Sequence, residues 1–387
     1  MKLNKRKSVL VVSSNRADYS LLEPLMHQLI SQKEINFGLI VTGSHLLKTF
    51  GYTFNDIHPK IRKKTISKIK VLESTSKASM IKTIGYLIEK FSSVFKRLKP
   101  DLVIILGDRY EIFSAATSCH LLQIPLAHIH GGEVTSGALD DGFRHSITKF
   151  SDLHFTSSVA HRNRVIQLGE QPRKVFNVGP MVLDNFLDLK FLSKTVLRRR
   201  LKILKAKRDF LVCFHPQTLG TDNNLEALNN LIAEMKVFRE YNFIFTASNN
   251  DPGGEKLNST IKKNVEMCKN FYFYDSLGGQ LYYSLLRSCD GLIGNSSSGI
   301  IETPIFQRYS LNIGERQKGR EKTKYTIDCG TSKTQIHRGL KELFSKSNKV
   351  FKLKTKYVSP SKLIVNKVKE KLMGELKKNK SFHDLKT

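Results

Sequence analysis

A chain of 387 residues, 40% hydrophobic and 25% charged, has the balance of a folded globular protein and the length of two or three domains. That balance excludes wholesale disorder, and no apolar run approaches the ~18 residues that a membrane-spanning helix needs. The formal net charge of +30 raises nucleic acid as a partner. The surplus, however, is mostly lysine gathered in residues 58–70, 194–208 and 343–387, read as a loop, a linker and a tail, so a solvated basic surface and no nucleic-acid partner are expected.

In chain order, a basic start (Lys2, Lys5, Arg6, Lys7) is followed by an apolar stretch, Val9 to Val12, that is too short for a signal peptide. A cytoplasmic location without membrane contact is therefore expected. Apolar runs rich in Val and Ile at 8–13, 35–41, 101–106, 125–130, 153–156 and 174–178 read as buried strands. Helical periods separate them at 18–32, 79–98, 110–122, 141–151 and 159–168. The basic segment 189–207 carries no strand signal and reads as a linker plus a helix. The rhythm then restarts, with strands at 210–214, 243–247, 271–274, 291–293 and 309–313 and helices near 223–240, 254–268, 279–288 and 298–306. A last helix follows Pro360, near 361–378. The β-α-β alternation predicts an α/β fold of two doubly wound, Rossmann-like parallel sheets facing a cleft: residues 1–188, then 208–358, with 359–387 a terminal helix and basic tail. Cys119, Cys213, Cys268, Cys289 and Cys329 are scattered, odd in number and never in a CxxC spacing, which fits reduced thiols rather than disulfides or structural zinc.

Ligands of such sheets sit at the carboxyl ends of the strands, and the polar clusters fall there. Ser14-Asn15-Arg16 places a guanidinium just before a helix, where an anion also meets free N–H groups, although Asp18 nearby reads equally as a cap. Gly107-Asp108-Arg109-Tyr110-Glu111 ends the next strand on that side, with a plain N-cap as the competing role of Asp108. His128-Ile129-His130-Gly131-Gly132-Glu133 follows, then Asp140, Asp141, Arg144 and His145. The i,i+4 spacings there pair Asp140 with Arg144 and Asp141 with His145. So dense a group of carboxylates and histidines points to acid–base chemistry rather than to helix capping. His128 and His130 fall on one face of a strand, a pattern able to hold zinc, but one ring packing into the sheet explains it as well, and no metal is expected. In the second half, His215 ends a strand. Ser248 to Gly254, including Asp251, has the composition of a turn. Gly294-Asn295-Ser296-Ser297-Ser298-Gly299 opening a helix reads as a phosphate cradle, with Glu302 one turn on, able to accept from two adjacent ribose hydroxyls. Arg316, Lys318 and Arg320 add cations after the following strand. One anion site per half suggests a diphosphate bridging them.

These residues carry a resemblance. The segments LGDRYEIFSAATS, HIHGGEVTSGALDDGFRHSITK, RVIQLGE, CFHP, GLIGNSSSGIIE and NIGERQKGRE resemble the hydrolysing UDP-N-acetylglucosamine 2-epimerases, of the glycosyltransferase-B-like fold, from about Val9 to about Gly319. The resemblance implies conversion of a UDP-2-acetamido sugar and water to UDP and the free 2-epimer, typically N-acetylmannosamine for sialic-type acids, by a homodimer. No nicotinamide or metal cofactor is implied. By position it makes Asp108, Asp140 and His215 catalytic, sets Arg16, Arg109, Arg144, Arg316, Ser296 and Ser297 on phosphates or sugar, brings Asp251 near the substrate and puts Glu302 on the ribose. Relatives with HIEGGE carry a catalytic glutamate where this chain has His130, so either Glu133 supplies the carboxylate or His130 moves the proton. Ser14-Asn15 also replaces the more usual Gly-Ser or Gly-Thr. Relatives also act on UDP-2,4-diacetamido-2,4,6-trideoxyglucose, and a glycosyltransferase shares the fold; both remain alternatives at this level.

Overall fold

The computed structural model describes residues 6–72, 77–134, 139–187, 189–216, 224–248, 253–347, 358–374 and 380–385. The chain forms two compact units, Met1–Leu187 with Tyr357–Thr387, and Asp188–Lys356. In the first, the elements run β1 (Lys7–Ser13), α1 (Arg16–Ile30), β2 (Ile35–Thr42), α2 (Pro59–Arg62), β3 (Thr65–Ile69), α3 (Lys77–Leu98), β4 (Leu102–Leu106), α4 (Tyr110–Leu121), β5 (Leu126–Ile129), α5 (Leu139–Phe150), β6 (Leu153–Thr156), α6 (Val159–Gln167), β7 (Val175–Asn177) and α7 (Asp184–Leu187). All seven strands are parallel, in the order β3-β2-β1-β4-β5-β6-β7. Both faces of this sheet are covered, which is why its central strands are unbroken apolar runs rather than alternating ones. Along β1, Val9 and Val11 pack with Leu22, Leu25 and Met26 of α1, whereas Leu10 and Val12 pack with Phe91 and Phe95 of α3 and Ile112 of α4. In β3, at the edge, half-buried Thr65 and Ser67 alternate with exposed Ile66 and Lys68, and only Ile69 is buried. The lysine-rich stretch 58–70, expected as a loop, contains this strand, because Thr65–Ile69 pairs with β2 while Lys68 faces solvent.

The second unit runs α8 (Lys194–Arg200), β8 (Arg208–Cys213), α9 (Asn224–Met235), β9 (Tyr241–Thr246), α10 (Gly254–Met267), β10 (Phe271–Tyr274), α11 (Gly278–Ser288), β11 (Gly291–Gly294), α12 (Ser298–Ile301), β12 (Ser310–Ile313), β13 (Thr326–Cys329) and α13 (Lys333–Lys346). Its six parallel strands are ordered β10-β9-β8-β11-β12-β13. The sequence reading did not place β13 or α13, whose Ile327, Ile336 and Leu340 complete this unit's core. The segment 189–207, expected as a linker, belongs to this unit: Leu197, Leu201 and Ile203 are buried and Arg198 pairs with Asp209 at 2.8 Å. The expected helix over 298–306 is only the four residues of α12, because Pro304 removes a donor and disfavours helical geometry just ahead of it.

The last helix, α14 (Pro360–Met373), belongs to the first unit, where Ile364, Val365 and Val368 pack with α1 and Asp184 accepts from Ser361 N at 2.9 Å. The end of the basic tail also docks there. Lys380 Nζ donates to the carbonyls of Lys149 and Ser151, each at 2.6 Å, at the C-terminus of α5, and pairs with Glu170 at 2.8 Å. Gly169 (φ +87°) has no Cβ because Phe382 lies directly against it. All five cysteines are free thiols, and among the described residues no helix is long and apolar enough to cross a membrane.

Candidate active site

In each sheet the strand order reverses at one place, β1/β4 in the first unit and β8/β11 in the second, and loops diverging from such a switch point form the usual ligand site. In the first unit β1 leads into Ser14, Asn15 and Arg16. Asn15, rather than Asp18, caps α1, accepting from Asp18 N at 2.8 Å. The Asp18 carboxylate instead accepts from Ser14 Oγ (2.6 Å) and Asn15 Nδ2 (2.7 Å). Desolvation pushes Asp18 up to about 6, against the Ser14 hydrogen bond and the charge of Arg109. Arg16 is exposed and makes no ion pair among the described residues.

From β4 come Asp108 and Arg109. Arg109 is forked onto the fully buried Glu111, with Nε and Nη2 at 3.1 and 3.2 Å from its oxygens. Asp108 is paired to Arg144 on α5. Arg144, 5% exposed, also donates to Asp141 (2.7 Å) and to the Glu133 carbonyl (3.0 Å), so its guanidinium gathers three chain segments. The spacing argument had paired Arg144 with Asp140. The guanidinium turns inward to Asp108 and meets Asp141, three residues back. His145 lies 3.6 Å from Asp141. Asp140 is left without a hydrogen bond or ion pair among the described residues. Desolvation and the repulsion of Asp108 raise its pKa.

Of the two histidines of HIH, only His128 lies in the strand. His128 is buried within β5; its Nε2 donates to the Gly107 carbonyl at 2.8 Å and burial pushes its pKa down to about 3. His130 lies past the strand end at φ +67°, a conformation that β-branched and bulky side chains avoid. Its Nε2 accepts from Met181 N at 3.4 Å, which leaves the proton on Nδ1, 3.6 Å from Glu133. Among the described residues no group of three or more His, Cys, Asp or Glu side chains is arranged to hold a metal ion.

In the second unit the Asn295 side chain bridges the two loops at the switch point. It accepts from His215 N at 2.7 Å and donates to the His215 carbonyl at 2.8 Å. Gly294 (φ +136°) lets β11 approach β8, since any Cβ there would collide with the Cys213 carbonyl. The Asn295 carbonyl accepts from Arg316 Nη1 (3.2 Å) and Gln317 Nε2 (2.9 Å), which brings the loop after β12 to the serines. Ser296 is buried and Ser297 is half-buried at the start of α12. Lys318 pairs outward with Glu315 at 3.0 Å. Glu302, at the end of α12, hydrogen bonds with Ser298, and burial pushes its carboxyl up to about 7. Its Oε2 is sealed from solvent with no partner among the described residues, an acceptor for which a ligand hydroxyl is the natural donor. Asp251 lies outside the described residues.

Asp18, Glu111 and Asn295 were missed as structural members of these sites. Their only sequence signal was adjacency to the arginines and serines that stood out. The two halves hold a carboxylate–arginine cluster suited to proton transfer and a serine, arginine and carboxylate set suited to a nucleotide.

A family model described as UDP-N-acetylglucosamine 2-epimerase matches residues 27–363. The chain is 40% identical over 331 residues to the GDP/UDP-N,N'-diacetylbacillosamine 2-epimerase (hydrolyzing) of Campylobacter jejuni, covering 84% of this chain and 85% of that one. It is 38% identical over 341 residues to the polysialic acid biosynthesis protein P7 of Escherichia coli, covering 86% and 85%. Among solved structures, the UDP-GlcNAc 2-epimerase from Neisseria meningitidis bound to UDP-GlcNAc superposes with a TM-score of 0.76 at 15% identity, over 94% of this chain and 100% of that one. The carboxylate cluster, the two parallel sheets and these matches agree, and the chain belongs to the UDP-N-acetylglucosamine 2-epimerase family.

Proposed function

We propose that this enzyme takes a UDP-2-acetamido sugar and water to UDP and the free 2-epimer, UDP-N-acetylglucosamine giving N-acetylmannosamine. The observation that carries this reading is the gathering of Asp108, Asp141 and the Glu133 loop around Arg144, with Asp140 unpaired beside them. A C2–H bond beside a neutral anomeric carbon is not acidic, so UDP leaves first and the C1–O electron pair goes to the diphosphate. Arg16, Arg316, Ser296 and Ser297 take up that charge, and Glu302 holds the ribose. The sugar becomes oxocarbenium-like, which acidifies C2–H, and Asp108 faces the cation. Glu133, flanked by His130, takes the C2 proton and leaves a 2-acetamidoglycal. Water then adds its hydroxyl at C1 while Asp140, whose raised pKa suits a proton donor, protonates C2 from the opposite face; the proton left by the water passes to solvent, from which Asp140 is protonated again. Arg144 acts by holding these groups and Arg109 by its fork to Glu111, a reassignment from phosphate ligands that rests on the ion pairs the two guanidinium groups make. His215 and Asp251 belong to the nucleotide half, as the resemblance implies.

The names of the Campylobacter jejuni relative and of a 31% identical Legionella pneumophila relative, a UDP-N,N'-diacetylbacillosamine 2-epimerase (hydrolyzing), favour a second reading. In it the same reaction acts on UDP-2,4-diacetamido-2,4,6-trideoxyglucose, a precursor of legionaminic-type rather than sialic-type acids. A cytoplasmic homodimer completes the proposal. Incubating the protein with each sugar nucleotide in parallel tests it. Free UDP and free 2-epimer from either supports the reaction and selects the sugar. UDP-bound epimer, or turnover only when an acceptor sugar is added, refutes it in favour of a non-hydrolysing epimerase or a glycosyltransferase.

A further inference from the structure

A hydrogen-bonded chain leads away from the proposed base. Ser157 follows the last residue of β6 and its Oγ lies 3.0 Å from Glu133 Oε1. On its other side Ser157 Oγ is 2.8 Å from Nδ1 of His161, in the first turn of α6. The packing that brings these groups together is specific. Gly132 (φ +81°) sits so close to α6 that a Cβ would collide with the His161 carbonyl, and the Arg164 guanidinium donates to the Gly132 carbonyl. The residue after Gly132 is Glu133, so the carboxylate is held against the start of α6. His130 lies 3.6 Å from the same Glu133 oxygen. The charged and titratable groups facing this chain are therefore His130 and Glu133 from the loop after β5, and His161 and Arg164 from α6.

We infer that Ser157 and His161 are a proton relay for Glu133, carrying to solvent the proton that Glu133 removes from the sugar. This rests on the reading of Glu133 as the base. A serine has one proton, and an ionised carboxylate can only accept. At rest Ser157 therefore donates to Glu133 and accepts from His161 Nδ1–H. After Glu133 has taken the C2 proton the donors reverse. The ring first exchanges its Nδ1 proton for one at Nε2 through water; the carboxyl then passes its proton to Ser157 Oγ as Ser157 passes its own to Nδ1, and the imidazolium so formed loses the Nε2 proton to water, which restores the Nδ1–H ring. One proton enters at the carboxylate and one leaves at the ring, with no bond broken except O–H and N–H. His161 is half-buried, which suits a group that hands protons between the site and solvent. Ser157 and His161 touch no substrate in this scheme and act through Glu133.

Two measurements test the relay. The first is steady-state turnover of Ser157→Ala, Ser157→Thr and His161→Gln. Ser157→Ala and His161→Gln are expected to lose kcat by about tenfold or more with KM within about twofold. Ser157→Thr, which keeps the hydroxyl, is expected to retain it, and added imidazole is expected to restore His161→Gln in proportion to its concentration. Unchanged kcat in the Ala and Gln variants, or a loss that imidazole does not repair, overturns the relay. The second uses ¹⁵N-histidine-labelled protein and needs no turnover. The ring-nitrogen shifts of His161 are expected to report the Nδ1–H tautomer in the parent chain and a change of tautomer in Ser157→Ala. An Nε2–H tautomer in the parent chain overturns it. A protein that turned over neither sugar would fault the functional reading instead, and the ring-nitrogen signature would still decide whether the chain of bonds exists.

Discussion

Glu302 offers the sharpest physical test of the nucleotide half. Its carboxyl is pushed up to about 7 by burial, and Oε2 is sealed without a partner among the described residues. An acceptor for two ribose hydroxyls must be ionised, so UDP binding releases this proton and affinity rises with pH through about 7, levelling above it. At pH 8 the group is about nine-tenths ionised and at pH 6 about one-tenth, so the unliganded protein offers about tenfold less of the competent form at the lower pH. Two hydrogen bonds to a charged acceptor are worth about 3 kcal/mol together, or about a hundredfold in Kd. Glu302→Ala should therefore weaken UDP about a hundredfold at pH 8 but only about tenfold at pH 6, measured by isothermal titration calorimetry. Titration of the UDP phosphate itself cancels, because parent and variant are compared at each pH. A ratio of affinities that does not change between pH 6 and 8, or a variant that binds UDP as tightly as the parent, would refute the reasoning.

Three further outcomes are expected. Asp108→Asn should abolish turnover while UDP still binds with near-parental affinity in the same calorimeter; loss of both together would make Asp108 structural. Lys380→Met removes a buried cation from the carbonyls of Thr148, Lys149 and Ser151 and from Glu170. It should destabilise the first unit by about 2 kcal/mol in urea denaturation, and a midpoint equal to the parent's would show that the tail merely rests there. Burial opposes ionisation of Glu170, but His154, Lys380 and Lys149 outweigh it and hold its carboxyl down to about 2. The folded value lies below the unfolded one, so this group's stabilisation is present above about pH 4.5 and is lost as pH falls toward 2. Glu170→Gln should flatten the acid limb of a stability–pH profile in that window, and an acid limb as steep as the parent's would count against the assignment.

Much of the fold was legible because strands covered on both faces must be continuous apolar runs, as at Val9–Val12 and Leu102–Leu106. What escaped was non-local. Thr65–Ile69 is a strand only because β2 offers it an edge, and the lysines around it (Lys63, Lys64, Lys68 and Lys70) disguise it. The helix expected in the basic segment 189–207 is tied to the second unit only once Asp209 and α11 are placed beside it. The end of the tail was invisible as a structural element, since its partners Thr148, Lys149, Ser151 and Glu170 lie more than 200 residues earlier. In the site, residue types and strand-end positions were readable, but pairings were not. Helical spacing favoured Asp140 with Arg144, whereas the pull of Asp108 turns the guanidinium to Asp141. The left-handed backbone of His130, past the strand end, is not marked in the sequence by a glycine at that position.

The central claim is that proton transfer at C2 follows departure of UDP within one turnover. It is tested most directly by proton and phosphorus NMR of the protein with UDP-N-acetylglucosamine, and with its 2,4-diacetamido analogue, in D₂O. The account predicts free UDP together with a free 2-epimer carrying one deuterium at C2. Free sugar of unchanged configuration with protium retained at C2, or a 2-epimer still attached to UDP, would contradict it.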